Sequence, residues 1–229
     1  VSTSVPAAAG SPLAVFFDLD GTLADTAADL AAPVNAMRIQ RGLAPLPLDD
    51  LRPFASMGAR GLIGRGLGVD RDAAGFEALR LEFLERYEAA MMVHTRLFPG
   101  MAAVLDALDA AGIRWGVVSN KVERYVRPIV TALGLIERAT VAIGGDTTPF
   151  AKPHPEPLLH AARLTQVAPG ACIYVGDDLR DIQAGRAAGM WTVAAAYGYC
   201  GEHDPPQAWG ADALVAQPDE LHAVLRLGR

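Results

Sequence analysis

Two aspartates, Asp18 and Asp20, close the apolar run Val15-Phe16-Phe17 and stand directly before Gly21-Thr22. In an extended strand, residues at i and i+2 face the same side, so this spacing sets two carboxylates together at the carboxyl end of a strand. Crowding them there costs repulsion unless a cation or a proton transfer uses the pair. Gly21 lets the backbone turn sharply and approach a ligand closely. The same letters also suit an acidic hairpin turn, because Asp-Gly is a common turn pair.

A second acidic cluster lies far downstream in the same local setting. Cys172-Ile173-Tyr174-Val175 is a short β-rich run, and Gly176-Asp177-Asp178-Leu179-Arg180-Asp181 follows it. In open parallel α/β sheets ligands bind beyond the carboxyl ends of the strands, so clusters remote in sequence can converge there. Hard oxygen donors of this kind suit Mg²⁺, which takes carboxylates, waters and a substrate phosphate.

Ser119-Asn120 directly follows Val117-Val118, which puts a hydroxyl and an amide at another strand end, able to donate to a phosphoryl oxygen. The pair is equally ordinary turn or N-cap chemistry. Lys152 lies in Ala151-Lys152-Pro153-His154-Pro155, where prolines restrict the backbone just before a helix. A lone lysine is otherwise a solvated surface charge.

Elements must hold these residues. From about Arg96 onward strand and helix patterns alternate, the mark of βα units on a parallel sheet. Strands are predicted over 115–118, 141–143, 173–175, 191–196 and 213–215, and helices over 101–108, 122–133, 155–164, 182–188 and 220–227. Between the first strand and Arg96 no strand pattern stands out. Leu30, Val34 and Met37 share one helical face with Gly42 as a stop, and Phe76, Leu79, Phe83, Tyr87 and Ala90 recur at helical spacing. The glycine-rich stretch 58–68 between them could flex or lie close to a ligand, and it lacks the pattern of a nucleotide cradle. The expectation is an α/β fold: a Rossmann-like parallel sheet core over 1–25 and 96–229, with an inserted α-helical cap domain over 26–95. Residues 1–11 read as a disordered leader rather than a signal peptide.

Composition narrows the function classes. The chain has 229 residues, 51% of them hydrophobic, enough for a core. A net charge of −6 and no basic stripe argue against a nucleic-acid backbone as partner. No apolar stretch approaches the roughly 20 residues that span a bilayer. The two cysteines, Cys172 and Cys200, form no close metal-ligand pair, and a reducing cytoplasm is expected. The five histidines show no metal-binding spacing.

Taken in order, Asp18-Leu-Asp20-Gly-Thr22, Ser119-Asn120, Lys152-Pro153 and Gly176-Asp177-Asp178-Leu-Arg-Asp181 resemble the four motifs of the haloacid dehalogenase superfamily. The resemblance covers nearly the whole chain, and its length matches the phosphoglycolate-phosphatase-like branch. Phe76 to Tyr87, Trp115 to Lys121, Val175 to Ile182, Tyr197-Gly-Tyr199 and Trp209-Gly-Ala-Asp212 further resemble the N-acetylmuramic acid 6-phosphate phosphatases of cell-wall recycling.

The resemblance implies a Mg²⁺-dependent phosphomonoester hydrolase. Asp18 would attack phosphorus and carry an aspartyl-phosphate, and Asp20 would serve as general acid and then base. Mg²⁺ would be held by Asp18, the backbone carbonyl of Asp20 and Asp177, with Asp178 and Asp181 supporting the metal shell, either of them the closer. Thr22, Ser119, Asn120 and Lys152 would stabilise the phosphoryl oxygens. Arg60 is the cap residue expected to meet a substrate anion, against the alternative of a plain surface arginine. The expected partner is a small phosphorylated metabolite, first N-acetylmuramic acid 6-phosphate and in the alternative 2-phosphoglycolate, with no nucleic acid or membrane and a monomeric or homodimeric state. A sugar phosphomutase would use the same motifs, and a phospho-acceptor signalling domain is the reading from a different class.

Overall fold

A computed structural model describes residues 12–201 and 204–227, so the leader expected over 1–11 lies outside the described residues. The chain enters on β1 (Ala14–Phe17), whose four residues are all buried. It then forms β2 (Ala24–Asp25) and a helical stretch made of α1 (Ala27–Gln40), α2 (Leu48–Leu51), a 3₁₀ segment (Arg52–Met57), α3 (Gly58–Leu67) and α4 (Phe76–Ala90). After β3 (Arg96–Leu97) the alternation begins: α5 (Met101–Ala110), β4 (Arg114–Val118), α6 (Glu123–Ala132), β5 (Ala142–Ile143), α7 (Glu156–Thr165), β6 (Cys172–Gly176), α8 (Leu179–Ala187), β7 (Trp191–Ala195), β8 (Ala213–Val215) and α9 (Leu221–Val224).

Six of these strands form one parallel sheet in the order β5-β4-β1-β6-β7-β8, which makes the core a Rossmann-like α/β fold. Both faces of this sheet are covered, which is why β1 and β6 read as unbroken apolar runs rather than alternating ones. Phe17 and Val175 belong to the larger buried cluster, Phe16 and Tyr174 to the smaller one. Each fully buried side chain of Phe size contributes about 1.5–3 kcal/mol against leaving it in water. β1 lies between β4 and β6, so the chain winds away from it in both directions. That is the topological switch point at which such sheets bind ligands.

The stretch between β2 and β3 is helical, as its spacing predicts. Leu30, Val34 and Met37 of α1 are buried with Phe76, Phe83 and Tyr87 of α4, while Ala90 is exposed. Pro33 lies within α1. Of the two expectations for the glycine-rich stretch, flexibility or closeness to a ligand, the first is not met, because Gly58–Leu67 is a regular helix, whereas Gly58 at its start borders the cavity described below. Gly66 explains why: a Cβ there would collide with Val34 of α1, so glycine allows the two helices to close together. Their packing offsets glycine's helix propensity, about 1 kcal/mol worse than alanine. The connections to the sheet run as an antiparallel ribbon, Ala24 opposite Leu97 and Asp25 opposite Arg96, which the sequence did not reveal.

Candidate active site

Parallel register brings the motif residues together. Phe17 pairs with Val117 on one side and with Val175 on the other, so Asp18, Ser119 and Asp177 leave three adjacent strand ends. Asp18 N–H still donates to the Val175 carbonyl at 2.9 Å, continuing the ladder into the site. Gly21 holds φ +90°, a value that L side chains rarely adopt, and a Cβ on it would strike the Asp177 carboxylate. The turn after β1 thereby closes onto the turn after β6.

Carboxylate oxygens of Asp18, Asp177 and Asp181 lie within 4.8 Å of one another, and all three residues are buried. Asp177 accepts hydrogen bonds from Thr22 Oγ1 at 2.7 Å and from the Tyr199 N–H at 2.8 Å. Burial, and then the charges of Asp18 and Asp181, push its pKa well above the carboxylate range despite those donors. Asp181 is raised to about 7, chiefly by burial, with Lys152 opposing. Asp18 Oδ1 stands 2.9 Å from Lys152 Nζ as an ion pair but without hydrogen-bond geometry, which leaves its lone pairs open. Three buried carboxylates that repel one another, one with an open oxygen, fit a hard divalent cation.

Lys152 is the counterweight. Its Nζ reaches Asp181 at 2.7 Å and donates to the Tyr174 hydroxyl at 2.7 Å and the Val118 carbonyl at 3.1 Å. Burial lowers its pKa, yet the carboxylates of Asp18 and Asp181 outweigh that and raise it. The Asn120 amide fixes the backbone of this lysine, donating to its carbonyl and accepting from its N–H, both at 2.9 Å. Motifs two and three of the sequence therefore join by one side chain.

A cavity of about 300 Å³ opens over these groups. Asp18, Asp20, Ser119, Asn120, Lys152, Asp178 and Asp181 border it, and the turn Ala55-Ser56-Met57-Gly58 forms its opposite wall. Thr22 is absent from this lining, fully buried, and bonded to Asp177, so it acts on the cluster rather than on the cavity. Of the two candidate supporters, Asp181 shares the carboxylate cluster. Asp178 instead caps α8, accepting from the Arg180 N–H at 2.9 Å and pairing with its guanidinium at 2.8 Å. Burial opposes ionisation of Asp178, but Arg180 holds its carboxyl below the usual range. Arg60 lies apart: it is exposed on α3 and borders a neighbouring cavity, not this one.

The sequence reading missed several participants. Lys121 Nζ sits 3.0 and 3.1 Å from the two Asp20 oxygens, with Thr26 Oγ1 donating to Asp20 Oδ1 at 2.5 Å. The Tyr199 hydroxyl accepts from the Thr26 N–H at 2.7 Å. Lys121 and Tyr199 fall in stretches that carry the resemblance, Trp115 to Lys121 and Tyr197-Gly-Tyr199, though neither received a role; Thr26 had no signal beyond its residue type. Burial pushes the thiols of Cys172 and Cys200 up to about 11 and about 12, which leaves neither a nucleophile.

A doubly wound sheet that gathers carboxylates and a buried lysine at its switch point defines a protein of the Rossmann-like α/β class with a site suited to phosphoryl chemistry. The chain belongs to the haloacid dehalogenase-like hydrolase family, whose model matches residues 15–195. It is 46% identical over 212 residues to an N-acetylmuramic acid 6-phosphate phosphatase of Pseudomonas putida, covering 93% of this chain and 95% of that one. It is 50% identical over 210 residues to a phosphoglycolate phosphatase of Xanthomonas campestris, covering 92% and 95%. A crystal structure described as a predicted phosphoglycolate phosphatase from Haemophilus somnus superposes with a TM-score of 0.81 at 27% identity, covering 93% of this chain and 97% of that one. The chain is a phosphatase. Among the described residues no helix is long and apolar enough to cross a membrane.

Proposed function

We propose that this phosphatase hydrolyses a small phosphorylated metabolite through an aspartyl-phosphate on Asp18, and that the metabolite is N-acetylmuramic acid 6-phosphate. The observation that carries the mechanism is the open Oδ1 of Asp18, aimed among Asp177, Asp181 and Lys152 beneath a polar cavity. In this scheme Asp18 attacks phosphorus, the bond to the leaving oxygen breaks, and Asp20 gives that oxygen a proton. Asp20 then takes a proton from the water that cleaves the aspartyl-phosphate, which returns Asp18 and frees phosphate. Ser119, Asn120 and Lys152 meet the phosphoryl oxygens, and Thr22 fixes Asp177. Asp18, Asp177 and the Asp20 carbonyl would hold Mg²⁺, with Asp181 and Asp178 in support, and the ion would supply charge neutralisation between nucleophile and phosphate.

The helical insertion, residues 26–95, acts as the cap that shields the site from water. The substrate choice is supported by the Pseudomonas putida relative. A cavity of about 300 Å³ also offers more room than a two-carbon leaving group fills. The second reading is 2-phosphoglycolate, favoured by the name of the Xanthomonas campestris relative. The reading carries with it a cytoplasmic enzyme acting as a monomer or homodimer.

The test is phosphate release with Mg²⁺ from N-acetylmuramic acid 6-phosphate, 2-phosphoglycolate and common sugar phosphates, compared by kcat/KM. The first should lead the panel, and Asp18→Asn should abolish turnover of every member. Near-native activity in Asp18→Asn removes the covalent scheme, and a lead for 2-phosphoglycolate removes the substrate assignment.

A further inference from the structure

The loop after β7 packs into the site from behind: a Cβ on Gly198 would collide with the Asp177 side chain and with the Gly21 carbonyl. That closeness seats the buried Tyr199 between the carboxylate cluster and the proposed acid and base. Its N–H donates to Asp177 Oδ2 at 2.8 Å. At the other end of the residue, its hydroxyl accepts from the Thr26 N–H at 2.7 Å and donates to Asp25 Oδ1 at 3.1 Å. Thr26 Oγ1 in turn donates to Asp20 Oδ1 at 2.5 Å. One residue therefore spans the distance from Asp177 to the threonine that holds Asp20.

Thr26 breaks a local rule. It is the N-cap residue of α1, a place where a threonine side chain ordinarily accepts from the first backbone N–H groups of the helix. No such bond forms, and the hydroxyl goes to Asp20 instead. Thr26 is fully buried, so water cannot satisfy its polar groups, and Tyr199 stands in: its hydroxyl oxygen takes the N–H and lies 3.2 Å from Oγ1. An ionised Asp20 can only accept, so the Thr26 hydroxyl hydrogen points at it, while Asp25 takes the hydrogen of Tyr199. Asp25 is itself held by Arg52 at 2.9 and 3.0 Å, and Arg52 opens the 3₁₀ segment whose later residues wall the active-site cavity. Departures from a local rule are expected where function rather than stability chooses the partner.

We infer that Tyr199 is a positioning residue for the proton transfers, acting on Asp20 through Thr26. This rests on the aspartyl-phosphate reading and deepens it by naming what fixes its acid and base. The Tyr199 hydroxyl sets Thr26, Thr26 Oγ1 orients one Asp20 oxygen, and the Tyr199 N–H ties the same residue to the carboxylate cluster. Asp20 thereby keeps its place relative to Asp177 although its own segment continues into the helical insertion. Tyr199 does not border the cavity over Asp18, so its hydroxyl acts through Thr26 rather than on a substrate.

The test uses Tyr199→Phe, which deletes the hydroxyl and keeps both the ring and the N–H, beside Thr26→Val and Asp20→Asn. The substrates are the alkyl phosphate that leads the substrate panel and p-nitrophenyl phosphate, whose leaving group needs no proton. Tyr199→Phe should lower kcat on the alkyl ester by about tenfold, the worth of one buried hydrogen bond, and on the aryl ester by about threefold at most. Thr26→Val should show the same split between esters. Mg²⁺ affinity of Tyr199→Phe by calorimetry should stay within about twofold of wild type, because the N–H on Asp177 remains. The double variant should lose no more than the larger single loss, as residues acting along one path do. Wild-type kinetics in Tyr199→Phe, equal losses on the two esters, or losses that multiply in the double variant overturn the positioning role and leave the phosphatase reading in place. An Asp20→Asn enzyme that loses both esters equally overturns the acid role itself, and this proposal with it.

Discussion

Lys121 Nζ lies within 3.1 Å of both carboxylate oxygens of Asp20, and only 4.8 Å from the ring centre of Tyr87 on α4. The lysine belongs to the turn after β4, the tyrosine to the helical insertion, and the aspartate to the turn after β1. One buried ammonium thus ties the proposed acid and base to the element proposed to close over it. Burial works against the charge on Lys121, yet Asp20 beside it raises its pKa on balance.

Removing that ammonium should disturb proton delivery more than phosphorus attack. We expect Lys121→Met to lower kcat on an alkyl phosphate by about 10²-fold, the low end of what general acid catalysis contributes. The loss on p-nitrophenyl phosphate, whose leaving group needs no proton, should be several-fold smaller. Steady-state kinetics on both substrates decide it, and equal losses would show that Lys121 does not act through Asp20.

Lys152 stands against two carboxylates and is itself held by Asn120. Lys152→Ala should cost on the order of 10²-fold or more in kcat, as for loss of one charge-stabilising donor. Asn120→Ala should give a smaller loss in the same direction, since it displaces the lysine without deleting it. A Lys152→Ala enzyme within twofold of wild type contradicts the assignment.

The metal-free protein should respond to pH through its carboxylate cluster. Asp177 and Asp181 are both raised, Asp181 to about 7, so between the unfolded range near 4 and that value the folded state binds more protons than the unfolded one. The contribution of Asp181 to stability is therefore complete at low pH and is lost as pH rises through about 7, and that of Asp177, also raised, is lost in the same direction. A bound divalent cation reverses this, because it needs the ionised carboxylates. Thermal melts with EDTA and with saturating Mg²⁺ should show a metal-induced rise in Tm that grows from pH 5 to pH 8. A rise that shrinks over that range argues against a metal on these residues.

Gly21 is required twice over, by its φ of +90° and by the Asp177 carboxylate that a Cβ would strike. Gly21→Ala should cost about 1–3 kcal/mol in stability, the scale of a residue held in a disfavoured backbone region. It should also weaken Mg²⁺ binding by displacing Asp177. Urea unfolding and a calorimetric Mg²⁺ titration measure the two effects, and unchanged values in both would show that the turn adjusts freely.

Much of this molecule is local and therefore written in local residue order. The apolar runs at β1, β4 and β6 announce a buried parallel sheet because both faces are covered, and the acidic letters after β1 and β6 mark the ends where ligands bind. The helical stripe of Phe76, Phe83 and Tyr87 is equally plain, because burial on one helix face imposes its period. The glycines of α3 were harder to read: glycine marks loops by its backbone freedom, and here it was selected by the close approach of Val34 from another helix.

Residue types and spacing alone set the chemistry of this chain, a carboxylate pair on a glycine turn with a lysine and a second acidic cluster in the order of a phosphatase. Only the folded chain decided which neighbour each group acquired. It put Asp181 rather than Asp178 beside Asp18 and Asp177, turned Thr22 toward Asp177, gave Asp20 to Lys121, and left Arg60 in a separate cavity. The reason is physical: strand-end position follows from local pattern, whereas side-chain partnership depends on distances across strands and helices that sequence separation does not encode.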